Sequence, residues 1–218
     1  MKQEKLSQRA RERLNSRNKI LATALELFSK KGYRNVSMFE IATKAEFRIG
    51  TLYNFFNNKE EIFRALVFGK AKELFSAVDE VLSKEGDVRN IIKEFIATEA
   101  NFFVYNLAIL RLYFTEVEGT NFNFTAGFDQ ELRDIDNKMI EKIALTIEKG
   151  IQANVFRNTN SYQLALTLRG LMSAFLFCCL KDLTGGVLEN DISAITDLFF
   201  KGCLTIKSDR RGTHEELP

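Results

Sequence analysis

The only proline in this 218-residue sequence is its last residue, Pro218. A proline ring inside a helix removes a backbone donor and collides with the preceding turn, at a cost of about 3 kcal/mol. No position before Pro218 imposes that cost, so the backbone is free to run in long helices. The apolar residues use this freedom. They recur at i, i+3, i+4, i+7 spacing in Ile20, Ala24, Leu27, Phe28, then in Phe63, Val67, Leu74, Val78, Val81, Leu82. The pattern continues through Ile91, Phe95, Phe102, Phe103, Leu107, Leu110, through Leu132, Ile135, Met139, Ile143, Ile147, Ile151, and through Ile192, Ile195, Phe199, Cys203. Such stripes belong to amphipathic helices, and no segment shows the period of two of a half-buried strand. The expected fold class is all-α, with about nine helices.

Breaks fall at Lys31-Gly32, Asn57-Asn58, Lys84 to Asp87, Gly119 to Gly127, Asn154 to Ser161 and Gly185-Gly186, where turn-forming residues interrupt the stripe. The first helix is expected over residues 18–31. Ser37 followed by Glu40 is a capping box that starts a second helix ending near Lys44. A turn at Ala45 to Phe47 leads to a third helix over residues 48–56, and Asn58 with Glu61 repeats the capping logic for a longer fourth. Two short helices joined by so tight a turn form a helix-turn-helix pattern. Ile49, Leu52 and Phe56 at i, i+3, i+7 would pack the third helix on Ile20, Ala24 and Ile41, leaving Arg48, Gly50, Thr51 and Asn54 outward.

Charge separates the same two regions. Residues 1–60 hold 13 Lys or Arg against 6 Asp or Glu, a net of +7, whereas residues 61–218 hold 18 against 23, a net of −5; together they give the overall +2. Clustered positive charge attracts a polyanion irrespective of the whole-chain average. A basic head for nucleic acid or an anionic surface, joined to a mildly acidic body, is the reading that follows.

Other function classes find little support. The most apolar runs, Gly170 to Leu180 and Ala100 to Leu110, fall short of the roughly 18 residues that span a bilayer, so no membrane helix is expected. The amino terminus MKQEKLSQRARERLNS lacks the apolar core of a secretory signal, and a cytoplasmic location is expected. Cys178, Cys179 and Cys203 have no metal-ligand spacing and are expected reduced and buried. The sole histidine, His214, gives neither an imidazole metal centre nor a serine triad a base. No dinucleotide, P-loop or nucleophile-elbow motif is present. The expectation is a protein without cofactor, metal or enzymatic activity.

The segment from Ile20 to Phe63, ILATALELFSKKGYRNVSMFEIATKAEFRIGTLYNFFNNKEEIF, resembles the DNA-binding domain of the TetR family of transcriptional regulators. The matching pieces are Ala24, Leu27, Phe28, Gly32, Tyr33; then Ser37, Ile41, Ala42; then Gly50, Thr51, Leu52, Tyr53, Phe56, Lys59, Glu60, Glu61. The resemblance implies a DNA-binding domain over residues 1–60, with a basic arm, and a ligand-binding and dimerisation domain over 61–218. It places Ser37, Thr51, Tyr53 and Lys59 against the DNA backbone and Arg48, Ile49, Gly50 and Asn54 near base edges. The hydroxyls of Thr51 and Tyr53 suit phosphate oxygens, Lys59 adds charge to a helix N-terminus, and Arg48 suits a guanine. Read without the family, Tyr53 also fits a core edge, Lys59 a solvated helix start, and Arg48 a phosphate contact. Glu46 departs from the family, which usually has Gly in that turn; a positive φ there would cost a Glu about 1 kcal/mol. The basic arm of Lys2, Lys5, Arg9, Arg11 and Arg13 reaches a minor groove or stays a solvated tail, and the tail is the expectation.

The body contains 15 of the 20 phenylalanines. In TetR-like proteins such a body encloses a small-molecule pocket, for which Phe95, Phe102, Phe103, Arg111, Phe114, Phe124, Phe128 and Phe175 are the candidates, with Glu116 and Arg169 as further polar anchors. A small hydrophobic effector, aromatic or acyl, would fit; a plain aromatic core is the competing reading. Tyr162 to Leu180 is apolar on nearly every face and needs cover on more than one side. With Ile192 to Ile206 it resembles the family's dimerising helices, implying a homodimer through about residues 161–206, Gly170, Ser173 and Ala174 allowing close approach. The function expected is a ligand-responsive dimeric repressor on a palindromic double-stranded DNA operator, half-sites about 34 to 36 Å apart, released when ligand tilts the fourth helix. The alternative is a helical protein that binds lipid or another hydrophobic ligand, with a basic head on a membrane surface.

Overall fold

A computed structural model of the chain describes residues 7–114, 130–181 and 188–203. Among these the repeating structure is helical throughout: α1 Gln8–Lys31, α2 Met38–Lys44, α3 Ile49–Tyr53, α4 Lys59–Leu82, α5 Val88–Tyr105, α6 Leu107–Tyr113, α7 Gln130–Gln152, α8 Ser161–Leu180 and α9 Leu188–Cys203. Side-chain caps set several starts. Ser37 Oγ accepts the Glu40 N–H at 3.1 Å, Asn58 Oδ1 that of Glu61 at 2.7 Å, and Asn160 Oδ1 that of Gln163 at 2.9 Å. Each satisfies an amide that the first turn leaves unpaired.

Two apolar clusters organise the helices. The head core joins Ile20, Ala24, Phe28, Ile41, Leu52 and Phe56 to Ile62, Phe63 and Leu66, so the division expected after residue 60 falls within α4, which runs unbroken from head to body. The body core is built from α4, α5, α7, α8 and α9, with Phe95, Ile96, Ile143, Ile147, Leu168 and Met172 at its centre. At Gly150, a Cβ would overlap the ring of Phe156. That ring in turn stacks on Phe200 and meets Phe199 edge-on, seating α9.

Several boundaries differ from expectation. Helix α1 starts ten residues earlier, capped by Ser7, because residues 8–17 are helix-tolerant and contain neither Gly nor Pro; the apolar stripe marks only its packed half. Arg9, Arg11 and Arg13 are therefore helical, not part of a tail. Helix α3 is shorter than expected, with Arg48 and Asn54 as its caps, and Ile49 is 36% exposed instead of packed on the head. The apolar run from Ile91 to Leu110 divides at Asn106, whose side chain donates back to the Phe102 carbonyl at 2.8 Å and so competes with helix continuation. Cys179 and Cys203 are buried and Cys178 half-buried, all three unbridged.

Helix α8 reaches a mean hydropathy of 1.6 over 18 residues, enough by length and composition alone to cross a membrane. The run-length argument missed this because a single arginine, Arg169, interrupts it. Leu164, Ala165, Leu168, Met172 and Leu176 of α8 are buried within the body, against α5, α7 and α9.

Candidate nucleic-acid interface

Helix α3 is held from beneath and open above. Leu52 is fully buried, Phe56 nearly so, and both lie in the head core. Arg48, Ile49, Gly50, Tyr53 and Asn54 are exposed around the same short helix, and Thr51 is half-buried. A Cβ at Gly50 would meet nothing within 4 Å, so the backbone itself can approach a ligand there. Ser37, at the start of α2, is exposed as well.

The turn between α2 and α3 contains the strain anticipated for it. Glu46 has φ 61°, in the left-handed region that disfavours a residue with a Cβ. Its carboxylate pairs with Lys19 of α1, and the hydrogen bond from Lys19 holds its pKa below the ordinary value. The charge that departs from the family pattern is thus neutralised within the head.

Lys59, expected at the DNA backbone, is engaged within the head in this structure. Its ammonium donates to the carbonyls of Tyr33 at 2.7 Å, Val36 at 2.8 Å and Arg34 at 3.3 Å, and lies 4.4 Å from the centroid of the Tyr33 ring. An ammonium has three protons, and all three are used on the α1–α2 connection. The side chain is a clasp between the start of α4 and the α1–α2 connection.

Beside the head core lies a cavity of about 300 Å³ lined by α4 to α8. Phe102, Phe103 and Phe114 line it as expected. Phe95 and Phe175 do not: both are buried in the body core. Arg111 is also outside it, exposed and donating to the Cys179 carbonyl at 3.5 Å. Phe124, Phe128 and Glu116 lie outside the described residues. Sequence reasoning missed Lys70, Leu74 and Asp136 on the wall.

Arg169 is the centre of an ionic cluster at that wall. It pairs with Glu99, whose side chain is wholly buried, and with Asp136 at 2.9 Å, linking α8 to α5 and α7. Burial pushes the Glu99 pKa up, with the charge of Arg169 opposing, and Glu99 Oε2 is left without a partner. The signal in the sequence was an acid at a stripe position, Glu99 between Phe95, Ile96 and Phe103, where spacing alone demands an apolar residue.

Helix α6 belongs to both regions. Ile109 and Tyr113 line the cavity and, with Leu112, are buried in the head core, where α6 packs on α1 and α4.

A small head presenting an exposed short helix, joined through shared helices to a body with a cavity, defines a helix-turn-helix regulator. Residues 20–66 match the family model described as bacterial regulatory proteins, tetR family. The repressor KstR2 of Rhodococcus jostii is 24% identical over 68% of this chain and 72% of its own. The repressor NicS of Pseudomonas putida is 23% identical over 84% and 90%. A solved structure from Syntrophomonas wolfei, described as a TetR-family transcriptional regulator, is 28% identical, with a TM-score of 0.66 over 86% of this chain and 94% of that one. Residues 20–66 thus match the TetR family's own model, and the chain is similar over most of its length to transcriptional regulators of that family. Its relatives are regulators, not enzymes.

Proposed function

We propose that the protein is a homodimeric repressor that binds a palindromic DNA operator in the cytoplasm and is released by a small, largely hydrophobic effector. DNA contact is assigned to the exposed side of α3. Arg48, Ile49, Gly50 and Asn54 face base edges, and Ser37, Thr51, Tyr53 and the amides at the start of α4 face phosphates. An exposed isoleucine on a helix otherwise lined with polar groups suits a thymine methyl. The effector would occupy the cavity between Phe102, Phe103 and Phe114, its polar group meeting Asp136 and Arg169. The division of labour is a head over residues 1–60 and a body over 61–218.

The observation that carries this reading is the double membership of Ile109 and Tyr113 in cavity wall and head core. A ligand that displaces α6 must disturb the packing of α1 and α4 under α3. Two heads spaced for one operator would then lose their register, so ligand and DNA oppose each other equally in both directions. Dimerisation is assigned to α8 and α9, where Tyr162, Leu166 and Leu198 are exposed and where Gly170 and Ala174 leave room for a second copy.

The test is selection of duplexes from a random pool, with Arg48→Ala and Tyr53→Ala in parallel. Recovery of a palindrome with half-sites about one turn apart is expected, with Tyr53→Ala weakening every sequence and Arg48→Ala relaxing one base position. Sequence-blind binding that fades with salt overturns the proposal and returns the head to a basic surface.

A further inference from the structure

The positive charge of the head is not evenly available. Every lysine from Lys19 to Lys59 is engaged within the protein: Lys19 by Glu46, Lys30 and Lys44 by Glu26, Lys31 by Glu40, and Lys59 by three carbonyls. Arg9, Arg13 and Arg17 have no acidic partner among the described residues. They succeed one another at i, i+4 on α1, one turn or about 6 Å of axis apart. By helical spacing they share the face that further along buries Ile20, Ala24 and Leu27. From Ile20 onward that face packs on the head, and before it the same face carries arginines.

The stripe starts beside α3. The Arg17 guanidinium lies 5.1 Å from the centroid of the Phe56 ring and that of Arg13 lies 5.6 Å from the centroid of Phe55; Phe55 and Phe56 directly follow Asn54, the cap of α3. Rings that hold the guanidinium groups in place reduce the side-chain freedom lost on binding. A guanidinium presents a planar fork of donors that matches phosphate. Because these cations have no internal ion pair to break, their full charge is available to displace counterions from a duplex.

We propose that Arg9, Arg13 and Arg17 form an ordered helical clamp on the phosphates of duplex DNA flanking the half-site that α3 enters, adding affinity without reading sequence. The inference rests on the operator-binding reading above. Its test uses full-length protein and the duplex recovered from the random pool, with the triple variant R9Q/R13Q/R17Q. Glutamine keeps a high helix propensity and a polar side chain while removing the guanidinium and its charge. The wild type is expected to lose affinity when base pairs flanking the half-sites are trimmed, and the variant to bind both lengths alike, with unchanged base preferences. The slope of log affinity against log salt should fall by about one for each arginine in each head. If Arg17→Gln unfolds the head, R9Q/R13Q alone should show the same loss in proportion. A variant with wild-type slope and wild-type response to trimming overturns the clamp while leaving operator binding intact. A wild type that selects no duplex, and instead binds phosphatidylglycerol vesicles through these arginines, overturns both.

Discussion

Lys19 on α1 pairs with Glu46 in the turn that leads into α3, so the one residue holding a strained backbone in the helix-turn-helix is also tied to the first helix of the head. Strain and charge are separable by substitution. Glu46→Gly relieves the left-handed conformation and should raise the unfolding free energy by about 1 kcal/mol or less, because glycine also gains freedom in the unfolded chain. Lys19→Met leaves the fold almost as stable, as expected for an exposed pair, but bares a carboxylate two residues before Arg48. Duplex affinity measured by fluorescence anisotropy should fall in Lys19→Met and recover in the double variant with Glu46→Gly. Equal affinity in all four proteins would remove Glu46 from the DNA-facing electrostatics.

Removing the Lys59 clasp should damage the fold more than the ionic contact with DNA. In Lys59→Met the carbonyls of Tyr33 and Val36 lose their donor, at a cost of about 1 to 3 kcal/mol, measurable by urea denaturation. Affinity should fall through disorder of the α1–α2 connection, while the salt slope stays that of the wild type. A slope reduced by about one per head would instead place the ammonium on a phosphate.

The triad in the body makes a prediction with a pH signature. Glu99→Ala leaves Arg169 with Asp136 alone and should destabilise the protein by about 3 kcal/mol. Glu99→Gln keeps the shape and removes the titration. Since the folded pKa of Glu99 is raised by burial, its favourable contribution is complete below the unfolded value near 4.5 and is lost as pH rises through the folded value. The stability difference between Glu99→Gln and wild type should therefore move in favour of glutamine as pH rises above about 4.5. A difference that does not change with pH contradicts this.

At the acid end the head should respond through Glu26. Its carboxylate accepts both Lys30 and Lys44 at 2.7 Å, and these bonds lower its pKa to about 2. A lowered value means that the stabilisation is present above the unfolded pKa and is lost as pH falls from about 4.5 to about 2. Thermal melts across that window should show the wild type losing stability faster than Glu26→Gln. Parallel curves would mean that the exposed pairs contribute nothing measurable.

Much of this protein is fixed by local rules that the sequence displays. A chain with no internal proline, repeated 3.6-residue stripes and Ser37 and Asn58 before acidic third positions can only be read as capped helices, because those preferences act over four or five residues. The ordered pieces from Ala24 to Glu61 resemble the TetR family's DNA-binding domain for the same reason. The tertiary structure decided what depends on residues far apart in sequence. Nothing local to Lys59 shows that its ammonium donates to the Tyr33 and Val36 carbonyls, more than twenty positions away. Glu99 and Arg169 are 70 positions apart, and only helix packing makes them a buried pair. Phe95 and Phe102 lie on the same helical stripe, yet one is sealed in the core and the other lines the cavity. Periodicity tells which side of a helix is apolar, but whether that side meets another side chain or empty space is set by the neighbouring helices.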